Sequence, residues 1–386
     1  MKTTILKGTK ALHSEMKEWM GHMHQYPELA LQETETAKYI AEKVKAFGFD
    51  VAEGIGKTGI VASMTLGSGE KSIGLRADFD ALPIQEVNNL EYKSKVPGKS
   101  HLCGHDGHTT MLLGAGKYLS QTKNFNGTVR LIFQPGEETM EGGPAMIQDG
   151  LFEKFPVDAV YGMHNMPGLE EGKFYFREGE TMAAVDNWEI ELTGKGSHGS
   201  MPELGIDPIV CGSSLVMALQ TIVSRNVSPW QNSVVSVGAF LSGNAGNVVP
   251  QNAVLRLSIR NMDSELRQMV LEKIHSITKA QAEAFDCQYE IREGVPGAVL
   301  VNTPERTNWA TNVARDVFGE ENVDDTLHPF MGSEDFAFML QKKPGNYCMV
   351  GNGDTPMVHH PQYIFNQEIL PLGAAYWVGL TEAYLK

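Results

Sequence analysis

Four short segments of this chain carry side chains suited to holding metal ions, each where an apolar run gives way to a loop. They supply Cys103 and His105 in HLCGHDGH, the adjacent Glu137 and Glu138 in QPGEET, His164 in VYGMHN and His360 in VHHP. A thiolate, imidazoles and a carboxylate, with a spare carboxylate beside them, describe a catalytic metal centre carrying its own general base. The donors are more numerous and more scattered than one closed tetrahedral site needs. That pattern points to two metal ions sharing a bridge and keeping positions open for water, which is the chemistry of hydrolysis.

Each residue taken singly has a plainer reading. An isolated Glu-Glu pair is usually a solvated loop, a lone histidine at a strand end is usually satisfied structurally, and Cys-x-His alone could be a fragment of a structural zinc site. The conjunction carries the inference. His13, His22, His24 and His275 fall on predicted helices and read as structural or surface residues, and His328 precedes a proline in a loop. Of the cysteines, Cys211, Cys287 and Cys348 sit in apolar runs as reduced core thiols, whereas Cys103 lies in a polar cluster.

The elements that must position these residues follow from periodicity. Residues 12–26 and 34–48 read as amphipathic helices. Strands IVASMTL, KSIGLRAD, TVRLIF and AVYGM then alternate with helical stretches, which predicts an α/β fold with a largely parallel sheet. In such sheets sites form beyond the carboxyl ends of strands, where the candidate donors, and also Asp78 and Asp80, are found. Residues 187–293 break the rhythm with the order β-α-β-β-α-β, a complete ferredoxin-like arrangement. The expectation is a discontinuous metal-binding domain, residues 1–186 and 294–386, interrupted by an inserted domain.

A chain of 386 residues agrees with two domains, and a formal net charge of −15 argues against a nucleic-acid partner, whose affinity rests on Lys and Arg. The N-terminal residues lack a signal-peptide pattern, and no run of roughly 18 apolar residues stands out as a membrane span. A cytoplasmic location is expected, with no membrane partner.

The segments HLCGHDGH, LRADFDALP, IFQPGEE, GMHN, KGSHGSMPELGIDP, GNAGNVVPQNA, MGSEDFAFM and VHHPQYIFN resemble the hallmarks of the M20 metallopeptidase superfamily, in particular its amidohydrolase branch. That branch includes hippurate hydrolases, N-acyl-L-amino acid amidohydrolases, auxin-conjugate hydrolases and N-acetyldiaminopimelate deacetylases. The resemblance implies a zinc-peptidase-like catalytic domain with an inserted lid that also dimerises. It makes Cys103, His105, Glu138, His164 and His360 the ligands of two divalent metal ions, with Cys103 in the bridging place, and Glu137 the general base. Asp78, in preference to Asp80, is expected to orient a ligand. In the lid it assigns His198 to the oxyanion, from one subunit to its partner, and Asn247 and Arg260 to the substrate, the arginine fork suiting a carboxylate. Glu203 and Gly199 depart from the pattern of many relatives beside that histidine. Zinc, manganese, cobalt and nickel all suit such donors. The implied reaction is hydrolysis of an N-acyl amino acid to a carboxylic acid and a free amino acid, in a homodimer or dimer of dimers. A dipeptidase, aminopeptidase or carboxypeptidase of the same superfamily is the alternative.

Overall fold

The computed structural model describes residues 2–386, with side chains from Thr4 onward. The described residues divide into two compact units, one comprising residues 2–179, 301–328 and 335–386, the other residues 180–300 and 329–334.

In the first unit a sheet runs in the order Asp50–Ile55, Gly59–Leu66, Gly127–Gln134, Ser72–Asp78, Ala159–Pro167, Gly345–Gly353, Phe174–Tyr175 and Val323–Asp324. Its four central strands, from Gly127–Gln134 to Gly345–Gly353, are mutually parallel. Three of these, Ser72–Asp78, Ala159–Pro167 and Gly345–Gly353, are buried almost residue by residue, as expected of strands covered on both faces. The helix His105–Thr122 buries nearly its whole circumference, because GHTTMLLGAG has no polar stripe to offer water. It packs against the strand Ser72–Asp78 and the helices His13–Gln25 and Leu370–Tyr384. The expected helices at 12–26 and 34–48 form as His13–Gln25 and Thr34–Ala46.

The second unit is an antiparallel sheet in the order Ser233–Ser242, Asn252–Asn261, Ala184–Thr193, Gln288–Arg292. Burial alternates along its strands because the helices Pro208–Thr221 and Ser264–Ala284 cover only one face. Asp207 caps the first helix and Asp263 the second, each accepting from early backbone N–H groups. The unit is wider than the expected 187–293. Pairing decides this: Phe330 N–H donates to Thr181 O, Ala183 N–H to Gly332 O and Arg260 Nη1 to Met331 O, so both flanks and a later segment belong to it. Its Pro208–Asn226 helix is, by length and composition, long and apolar enough to cross a membrane, against the expectation that no such run exists. Cys211, Leu215, Leu219 and Ile222 from that helix are buried in the core of this unit.

Candidate metal centre

Within the first unit, the strand Ala159–Pro167, the start of the helix His105–Thr122 and neighbouring loops bring Cys103, His105, Glu138 and His164 together. Two sets of donor atoms arise, Cys103 with His105 and His164, and Cys103 with Glu138 and His359, the atoms in each set lying within 4.8 Å of one another. Cys103 is common to both. Glu137, His105 and Glu138 form a further set within the same distance.

Two corrections to the sequence reading follow. His359, not His360, joins the cluster, with its Nε2 3.4 Å from Glu138 Oε2. The backbone is the reason: His359 donates its N–H to Leu102 O at 2.7 Å, which pins it beside Cys103, and its left-handed φ of 68° turns the next residue away. His360 is exposed, and its Nδ1 accepts from the Gln362 N–H. Likewise Asp80 rather than Asp78 orients a donor. Its carboxylate holds His105 Nδ1 at 3.1 Å and accepts from the Glu138 N–H at 3.0 Å. Asp78 instead takes His108 Nδ1 at 2.6 Å and Arg76 Nη1 at 2.6 Å.

Behind the donors lies a polar network the sequence reading did not foresee. His108 Nε2 lies 2.7 Å from Asn165 Oδ1, and Asn165 Nδ2 donates to Tyr363 Oη at 2.6 Å. Gly104 permits this approach. Its φ is 99°, and a Cβ there would lie 2.3 Å from Asn165 Oδ1. On the far side His24, assigned from sequence to structure or surface, is buried with its ring between Asp106 at 2.7 Å and Glu86 at 3.2 Å. Burial opposes charge on His24, but its hydrogen bonds and the two carboxylates outweigh that and raise it to about 9. The HDGH spacing, with Asp106 and His108 following His105 at a helix start, was the available signal for both groups.

The donor set fits divalent cations. His105 Nε2 and Glu138 Oε1 are buried with no hydrogen-bond partner among the described residues, an arrangement that a bound cation would satisfy. Asp80 occupies the other nitrogen of His105, and the Asn165 carbonyl, close to His164 Nδ1, leaves His164 Nε2 directed at Cys103 Sγ, 3.3 Å away. Burial and the charge of Glu138 push the Cys103 thiol well above its ordinary range. Burial would lower His105, yet Asp78 and Cys103 hold it well above. A cation reverses both preferences, because it takes the thiolate and the neutral imidazole.

The remaining candidates belong to the second unit. His198 is exposed on the short strand Ser197–His198, paired with Val248–Val249, and its Nδ1 accepts from the Ser200 N–H at 3.1 Å. Asn247 accepts the Gly199 N–H at 2.8 Å, so the histidine turn and the asparagine loop are tied together. Arg260 Nη1 donates to Met331 O at 2.7 Å.

Residues 74–383 match the sequence profile of peptidase family M20/M25/M40. The chain is 46% identical over 375 residues to the hippurate hydrolase of Campylobacter jejuni, covering 97% of this chain and 98% of that protein. It is 37% identical to the N-acetyl-L-cysteine deacetylase of Bacillus subtilis, covering 92% of this chain and 85% of that protein. Among solved structures, the Bacillus subtilis YXEP protein, described as a dinuclear metal binding peptidase from the M20 family, superimposes with a TM-score of 0.83 at 32% identity, covering 97% of this chain and 99% of that one.

Proposed function

From the premise that this chain belongs to peptidase family M20/M25/M40, we propose how its geometry hydrolyses the amide bond of N-acyl amino acids. The observation that carries the reading is the pair of donor sets sharing Cys103, with Glu137 alongside. Two divalent metal ions would be held by Cys103, His105 and His164 and by Cys103, Glu138 and His359. Bound there, they would supply Lewis acidity and bring the pKa of water toward neutrality.

The protein's own groups do the rest. Glu137 takes a proton from the attacking water and returns it to the leaving amine, so one carboxylate serves both halves of the cycle. Asp80 fixes the ring of His105 and the backbone of Glu138, which holds two donors in register. Zinc is the metal best suited to this mix of thiolate and imidazole.

The second unit serves, on this reading, as a ferredoxin-like lid, its strand order being the one that arrangement requires. His198 donates to the oxyanion in the site of a second copy, while Asn247 and Arg260 hold the substrate's carboxylate end. Dimerisation through the lid is supported by its edge strand Ser233–Ser242 and by exposed Val210, Met217, Trp230 and Leu241. The acyl group is aromatic or acetyl in character. A turnover screen of the zinc-loaded enzyme on benzoyl-, acetyl- and longer acyl-amino acids tests this, with unblocked dipeptides as the contrast. Faster cleavage of dipeptides with a free amine would overturn the acylase reading.

A further inference from the structure

Upstream of the residues that match the family profile, the segment from Glu28 to Glu33 lies across the two loops that carry the chemistry. Glu28 O accepts the Ala81 N–H at 2.9 Å, next to Asp80, and Leu29 bridges Ala81 as a parallel neighbour. Leu31 packs on Gly136, where a Cβ would come within 3.0 Å of its side chain, and Gly136 has a φ of 59°. Glu33 completes the contact. It is 0% exposed, and its Oε1 accepts from Gly136 N–H at 2.9 Å and from Leu31 N–H at 2.8 Å. Its Oε2 accepts from Thr58 Oγ1 at 2.7 Å.

The local sequence shows that this carboxylate is not there to start a helix. Glu33 occupies the N-cap of the helix Thr34–Ala46 but makes no side-chain cap bond. The Thr36 N–H, which an N-cap side chain ordinarily takes, goes instead to Glu28 Oε2 at 2.8 Å. A buried carboxylate at a position that ordinarily takes Ser, Thr, Asp or Asn breaks a local rule, and such breaks concentrate at functional sites. Leu31 adds a second departure, with a φ of 59° in a region that non-glycine residues seldom enter. Both departures bear on Gly136, the residue before Glu137.

We propose that Glu33 is a positioning residue for the catalytic loop, clamping the Gly136 amide so that Glu137 and Glu138 leave the strand Gly127–Gln134 in the working orientation. The inference rests on Glu137 being the base. Glu33 touches neither substrate nor donor, and acts through the backbone.

The test compares Glu33→Gln, Glu33→Ala and Thr58→Val by amide hydrogen exchange over residues 134–142, by metal stoichiometry, and by kcat and KM on a benzoyl-amino acid. The glutamine keeps an acceptor for both amides and can donate to Thr58, so it should stay within a few-fold of wild-type kcat. The alanine should speed exchange across this segment and lower kcat on the order of 10- to 100-fold, the scale a displaced catalytic group produces, with KM little changed. Thr58→Val, which removes one of three arms, should fall between them. If Glu33→Ala does not fold, the wild-type protein still decides: the Gly136 amide must be protected comparably with the neighbouring strand, and free exchange there overturns the clamp. So do equal losses in Gln and Ala, or a folded Ala variant with wild-type exchange and kcat. Should Glu137→Gln prove active, the base assignment fails, while the exchange result still judges the clamp separately.

Discussion

The first unit and the second hold their candidate residues in opposite ways. His105, His108 and His24 are buried, each bound to a carboxylate, and those carboxylates are themselves tied to Arg76, to backbone amides or to each other's partners. His198 is exposed and has one neighbour, Ser200, for its Nδ1. The contrast teaches that the metal end is organised in advance by buried partners within this chain, whereas His198 has little fixing its ring. Preorganisation of that kind is what catalytic donors require.

The largest effect should come from the organised end. Glu137→Gln should retain its metal and lose kcat by about 10²–10⁴-fold or more, the range for a general base that acts twice. Metal analysis and kcat on the same sample check this, and near-normal turnover in a loaded variant would remove Glu137 from the mechanism.

Next, Cys103→Ser and His359→Ala should lose metal and activity together, while His360→Ala should keep both within a few-fold. Equilibrium dialysis with zinc separates the two neighbours. A metal-poor His360→Ala with an intact His359→Ala would reverse the assignment made from the structure.

His198→Ala should leave stability and metal content unchanged yet lower kcat by about 10²-fold, on the scale of removing an oxyanion donor. Mixing it with Glu137→Gln sharpens the contrast. If His198 serves a partner copy, the heterodimer contains one intact site and activity returns; verified heterodimers without recovery would assign His198 to its own chain.

His24 extends the comparison from turnover to stability. His24 is raised from its ordinary 6.5 to about 9, so its contribution is fully present below pH 6.5 and is lost as pH rises through 9. Urea unfolding of the wild type and His24→Asn should differ by about 3 kcal/mol more at pH 6 than at pH 10, the scale set by the shift. A difference independent of pH would show that the ring is held neutral.

The chemistry of the site was legible in residue types at strand ends, because parallel sheets direct those ends to one place. What escaped was the choice within close pairs. Asp78 and Asp80 are two apart and face the same side of an extended chain, so spacing could not divide them; His108 claims one and His105 the other. His359 and His360 are adjacent, and a single hydrogen bond to Leu102 with one left-handed dihedral selects between them. The βαββαβ order of the second unit was readable from alternation, but its true edges were not, since they depend on pairing with residues 329–334.

That later segment and His359 expose a matter of timing. The strand Ala159–Pro167 in the middle of the first sheet pairs with Gly345–Gly353, which the ribosome makes only after the whole stretch from residue 180 to 300. Most of the second unit emerges as one continuous piece and can fold at once, as domains do during synthesis. The first must wait with the open edge of a buried strand exposed. Capture of a full metal pair, and with it any hydrolysis of cellular amides, is thereby withheld from the nascent chain until the segment bearing His359 arrives.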